Sequence, residues 1–138
     1  MKAHTEYLYF ETANRRDLVN ITDELATIVE RAKVDDGFCL VSAMHITAAI
    51  WVNDEESGLK KDLWRWLEGL APVENYEHHK TGEDNGDAHL KRTIVGHQAM
   101  MPITKGKLDL GPWEQVFYAE FDGQRKKRVV VKVLGIAS

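Results

Sequence analysis

The sequence predicts an α+β fold: a single domain over residues 1–138, mostly antiparallel in its sheet, with two main helices and a short third. Three observations lead there. Apolar residues recur at helical spacing in two long stretches, 18–32 and 59–70. β-branched and aromatic runs precede each of them, at 5–12 and 38–53. From residue 97 onward, strand-like runs follow one another across short Gly-containing turns, which suits meandering antiparallel strands better than helical crossovers. A length of 138 residues fits one domain with a real core.

"TEYLYFET" (5–12) reads as the first strand. Leu18, Ile21, Leu25, Ile28, Val29 and Ala32 mark the first helix, with Asp23 and Glu24 where an early turn favours negative charge. Asp35-Asp36-Gly37 ends it. "FCLVSAMHITAAIWVN" (38–53) reads as one long strand. Its predicted core face is Phe38, Leu40, Met44, Ile46, Ile50 and Val52, and the other face carries His45, Thr47 and Asn53 among small residues. A bend near Ser42 or Ala48 would spoil that parity. Leu59, Leu63, Trp66, Leu67 and Leu70 form the stripe of the second helix, which Pro72 stops. Trp64 lies off the stripe and hints at a subunit interface.

A short helix is expected over 87–95, capped by Asp87, with Leu90 and Ile94 inward. "HQAMMPIT" is a strand and "KGK" a turn. "WEQVFYAEFDGQRKKRVVVKVL" predicts a hairpin about Asp122-Gly123.

Eighteen basic and 22 acidic residues give a net charge of −4, which argues against a nucleic-acid partner. Arg125-Lys126-Lys127-Arg128 reads as the solvated start of a strand. Cys39 is the only cysteine, so no internal disulfide forms, and its apolar setting suits a buried hydrophobe. No signal peptide or membrane-spanning run is visible, and a cytoplasmic location is expected.

"YEHHKTGEDNGDAHLKR" (76–92) holds three of the six histidines with four acidic residues. Together with mid-strand His45, it suggests a metal or anion site, because neutral imidazole ligates metals and carboxylates and amides orient it. The spacing is not a signature pattern, and solvent-exposed or core histidines explain it as well. No Walker loop, G-x-S-x-G or dinucleotide motif is present.

"MHITAAIWVND", "YEHHKTGEDNGDAHLKRTIVGHQ" and "GKLDLGPWEQVFYAEFDGQRKKRVVVKVLG" together resemble the YjbQ-type family, whose members are named secondary thiamine-phosphate synthases. The resemblance runs over essentially the whole chain. It implies a curved antiparallel sheet or sandwich, a homotrimer, and a histidine pocket near subunit boundaries that takes a metal or an anion. It also implies a reaction that joins a pyrimidine-methyl diphosphate to a thiazole phosphate and releases pyrophosphate.

Residue by residue, the resemblance implies His45, His78 and His89 as ligands of a divalent ion, zinc or else magnesium. Asn53, Asp84 and His45 match catalytic motif positions, while Thr47, Asn85 and Gln115 match positions that hold ligands or phosphate. Glu120, Asp122, Gly123 and Arg125 match a closing E-x-D-G-x-R element, and Arg125 is nominated as the cation for a leaving diphosphate. Ile46 and Asp54 depart from the family pattern, and His79 falls outside the set. A metal-dependent phosphate-ester hydrolase and a non-catalytic binder of a small phosphorylated metabolite are the alternative readings.

Overall fold

The computed structural model describes residues 1–137. Eight strands and three α-helices follow the order β1 (Lys2–Phe10), β2 (Asp17–Asn20), α1 (Thr22–Ala32), β3 (Asp36–Ala43), β4 (Ala48–Asn53), α2 (Ser57–Leu70), a 3₁₀ turn (Glu77–Thr81), α3 (Gly86–Val95), β5 (Gln98–Thr104), β6 (Lys107–Leu108), β7 (Gln115–Glu120) and β8 (Lys127–Ile136). The strands form two sheets, ordered β1-β8-β3-β5-β6 and β2-β7-β4, and their pairs are antiparallel. The α+β class and the antiparallel sheet stand as expected.

The main core lies between the sheets and under α1. Leu25, Ile28 and Val29 from α1 meet Cys39 and Val41 of β3, Val129, Val131 and Val133 of β8, and Tyr118 of β7. Leu67 of α2 and Ala88 of α3 pack on the other face of the smaller sheet, against Ala49, Ala119 and Phe121. Strand β7 is therefore covered on both faces, which accounts for its nearly unbroken burial. Cys39 is fully buried, and burial pushes its thiol up to about 11, so it is an inert core residue.

Three expectations give way. The run 38–53 is two strands in different sheets, broken at residues 44–47. In its first half the parity inverts: Cys39, Val41 and Ala43 are buried, while Phe38, Met44 and Ile46 are exposed. The segment around Asp122-Gly123 is not a hairpin, because β7 and β8 belong to different sheets. It crosses residues 12–15 instead: Gly123 N–H donates to Arg15 O at 2.8 Å and Gln124 N–H to Thr12 O at 2.9 Å. A short strand, β2, takes Leu18 out of the first helix.

The helices differ in detail. Trp66 is exposed, and Trp64 is an intramolecular contact whose ring meets Phe121 edge-on at 5.8 Å. Asn85, not Asp87, sits at the start of α3, while Leu90 and Ile94 face outward. Asp87 is buried, and Lys91 reaches it at 2.7 Å one turn later. Lys91 also donates to Ala71 O at 2.7 Å, and Arg16 pairs with Asp87 at 3.0 Å. This buried charge group fixes α3 against the end of α2, a polar anchor the apolar stripe does not show.

Candidate functional site

The turn between β3 and β4 carries His45, and α3 holds that turn. Nη1 of Arg92 donates to the carbonyls of Ala43 at 3.2 Å, Ala48 at 3.3 Å and His45. A carbonyl cluster of this kind suits a planar cation, and it explains why the apolar run bends where it does. Because α3 also carries His89, one guanidinium sets the spacing between two candidate histidines.

His45 is fixed from behind. Its Nδ1 lies 2.8 Å from Thr47 Oγ1 and 3.3 Å from the Thr47 backbone N–H. Thr47 is fully buried, and its Oγ1 accepts from Lys127 Nζ at 2.8 Å. Lys127 donates further to the Glu120 carboxylate and, at 2.8 Å, to Asp122 O. Tyr118 Oη donates to Glu120 at 2.8 Å, and so does Asp122 N–H at 3.2 Å. The Lys127 and Glu120 side chains are both fully buried. Such a pair is tolerable only because each charge is hydrogen-bonded on several sides.

The 3₁₀ turn delivers His78. Gly86 N–H donates to His79 Nε2 at 3.0 Å, which pins the turn to the start of α3. Only glycine fits at 86, since a Cβ would lie 2.8 Å from Tyr76 Cδ2 and 2.9 Å from its Cβ. His79 is thus a clamp, and its neighbour His78 meets His89 with ring centroids 4.5 Å apart. Asn85 Nδ2 donates to Asp122 Oδ2 at 2.9 Å. A carboxylate only accepts, so this contact fixes the amide orientation. Asn85 Oδ1 is then buried with no hydrogen-bond partner among the described residues.

These parts line an open cavity of about 210 Å³ with His45, Ile46, His78, Glu83, Asn85, His89 and Arg125. A larger cavity of about 400 Å³ shares His45 and continues past Tyr9, Lys126 and Arg128. A second, also about 400 Å³, shares His78 and His89 and continues past Tyr76 and Leu90. The cavity lies at the N-terminal end of α3, where the helix dipole favours negative charge. The Arg125 guanidinium is half exposed and lies 3.7 Å from Asp122, which leaves most of its donors free.

Of the residues singled out by sequence, His45, His78, His89, Asn85 and Arg125 share this cavity, and Thr47 stands directly behind it. Asn53 does not join them. It ends β4 beside Gln115, six residues past Thr47 and so roughly 20 Å along the strand. There Gln115 accepts from Asn20 at 3.1 Å, and Asn53 Oδ1 accepts from the Asp54 N–H. Asp84 is exposed and offers its backbone carbonyl to Arg15, while Glu83 supplies the lining carboxylate.

Among the described residues no three His, Cys, Asp or Glu side chains are placed to hold a metal ion. The Thr47 contacts also occupy Nδ1 of His45. No zinc or magnesium centre of the kind the resemblance implies is assembled among the described residues.

Sequence reading missed Lys127 and Arg92 as parts of the site, and gave Glu120 a motif position but no role. One signal was present: Lys127 shares parity with Val129, Val131 and Val133, the buried face of β8.

Burial lowers the pKa of His45, reinforced by the Lys127 charge, and burial with His78 beside it lowers that of His89. Both imidazoles are neutral near pH 7. The unfolded chain protonates these two histidines near pH 6.5, whereas the folded chain does so only at lower pH. Below about 6.5 the unfolded state therefore binds more protons, and stability falls as pH falls. Urea midpoints should drop between pH 7.5 and 5.5, and drop less in His45→Gln/His89→Gln. An equal drop in both proteins would contradict the assignment.

A family model described as UPF0047 protein YjbQ-like matches residues 6–136. A UPF0047 protein of Archaeoglobus fulgidus is 39% identical over 92% of this chain and 98% of its own length. One from Methanothermobacter thermautotrophicus is 35% identical over 98% of this chain and 94% of its own. The crystal structure of a YbjQ-like protein of unknown function from Sulfolobus solfataricus superposes with a TM-score of 0.93 at 34% identity, covering 98% of this chain and 99% of that one. The match of fold, length and sequence over nearly the entire chain makes this protein a member of the UPF0047/YjbQ-like family.

Proposed function

We propose that the cavity binds the phosphate or diphosphate group of a small metabolite, and that the chain catalyses transfer at a diphosphate-bearing carbon, a thiamine-phosphate-synthase-like reaction. One observation carries this reading: a phosphate-sized cavity combines an underused arginine with neutral imidazoles at a helix N-terminus. The two larger cavities on either side add support. They leave room for two organic groups flanking one phosphate position, which suits joining two molecules better than hydrolysing one.

In such a transfer the C–O bond to the diphosphate breaks and its electron pair leaves with pyrophosphate. The thiazole nitrogen lone pair forms the new C–N bond to the pyrimidine methylene. No nucleophile from the protein is needed. What the site must supply is stabilisation of charge on the departing diphosphate, from Arg125 and N–H donors aimed at its oxygens. Purified protein should release pyrophosphate from a pyrimidine-methyl diphosphate only when a thiazole phosphate is present, and Arg125→Ala should lose roughly tenfold to a hundredfold of that rate. Release without the thiazole would favour the hydrolase reading, and binding without release would favour the non-catalytic one.

A homotrimer is part of the proposal. The outer face of the larger sheet exposes Phe38, Met100, Leu134 and Ile136, each 43% exposed or more, and Phe38 pairs in register with Leu134. A contiguous apolar sheet face of this kind suits association with further copies. Sedimentation should give three copies for wild type and one for Phe38→Glu/Leu134→Glu. A monomeric wild type at micromolar concentration would reject the trimer.

A further inference from the structure

We propose that Lys127, acting through Thr47, holds His45 in the tautomer protonated at Nε2, so that His45 offers the cavity an N–H donor for a phosphoryl oxygen and not a lone pair for a metal. The inference rests on the anion-site reading and names how one wall of that site works.

Lys127 is buried with its ammonium donating to Thr47 Oγ1, Glu120 and Asp122 O. An ammonium has donors and no acceptor, so Thr47 Oγ1 must accept from it. The Thr47 hydroxyl proton is then free to point elsewhere, and the polar atom at 2.8 Å is His45 Nδ1. The Thr47 backbone N–H, 3.3 Å from the same nitrogen, can only donate. The backbone donor favours an accepting Nδ1, and the hydroxyl, its oxygen engaged by Lys127, turns its proton to the same nitrogen. A neutral imidazole that accepts at Nδ1 carries its proton at Nε2.

The chemistry of His45 follows from that tautomer. A neutral Nε2–H is a donor that needs no proton transfer, which suits an oxygen gaining charge as diphosphate departs. The same proton blocks metal binding at Nε2, while Thr47 blocks it at Nδ1. This agrees with the absence of a three-ligand cluster among the described residues. Lys127 and Thr47 are positioning residues, and neither lines the central cavity.

Imidazole ¹H–¹⁵N correlation spectra of labelled protein read the tautomer directly, without substrate. Wild-type His45 should be a single Nε2–H form, unchanged by added zinc. Thr47→Val removes the hydroxyl but leaves Lys127 its contacts with Glu120 and Asp122, so it should fold. It should show mixed His45 tautomers and bind pyrophosphate roughly tenfold more weakly, and Thr47→Ser should restore both. A His45 protonated at Nδ1, or one whose Nε2 loses its proton to zinc, would overturn the proposal. So would a Thr47→Val protein with wild-type tautomer and affinity. An Nε2–H His45 in a protein that binds no pyrophosphate would support the tautomer and overturn the anion-site reading, so the two failures are separable.

Discussion

Replacing Lys127 with methionine should lower stability by about 3–5 kcal/mol, the range found when one member of a buried ion pair is removed. Glu120 is fully buried and would be left without the ammonium that balances it. Tyr118 Oη and Asp122 N–H would still donate to it, but neutral donors offset only part of the loss. In thermal unfolding this is a fall of roughly 10–20 °C for a chain of this size. Adding Glu120→Gln to Lys127→Met should recover much of it, since the double variant leaves no uncompensated charge. A double variant no more stable than Lys127→Met alone would mean that the loss comes from packing and not from charge.

Gly123→Ala should cost about 1–3 kcal/mol, as a side-chain atom forced into a packed backbone does. The Cβ would collide with Asn14 O and Thr12 Oγ1, and neither is the mobile end of a long side chain. Gly123 itself is tied to Arg15 O. The segment that must shift carries Asp122 and Arg125, so pyrophosphate affinity should fall with stability. Chemical denaturation with a parallel binding titration tests both. Wild-type stability in Gly123→Ala would show that residues 12–15 do not hold this segment.

The expectation that failed at Asp122-Gly123 shows where sequence reading stops. Asp-Gly between β-rich runs is a strong local signal for a hairpin. Here the strands on either side separate into two sheets, and the partners of the turn lie more than 100 residues earlier in the chain. The run 38–53 failed for a related reason. Its period-two pattern is real on each side of residues 44–47, but the break depends on Arg92, a residue on a different helix. Long-range capping of that kind leaves no local trace.

The candidate site was legible in part for the same reason. His45, His78, His89, Asn85 and Arg125 belong to recognisable motifs, and the fold does bring them to one cavity. Asn53 and Gln115 match motifs as well, but they pair at the far end of β4, where Gln115 accepts from Asn20 and Asn53 from the Asp54 N–H. Lys127 was hidden inside a basic run whose other members are exposed. Only its alternation with the valines of β8 marks it as an inward residue, and a lysine on such a face reads as solvated until its partner, Glu120, is known.

The proposed anion site is built on Arg125 and the histidines that share its cavity. Calorimetric titration with pyrophosphate tests it most directly, run at pH 7.5 in chelator-treated buffer on wild type, Arg125→Ala and His89→Gln. Wild type should show one binding site per chain, with affinity reduced roughly tenfold to a hundredfold in Arg125→Ala and reduced in His89→Gln. No binding by wild type, or equal binding by all three proteins, would contradict it.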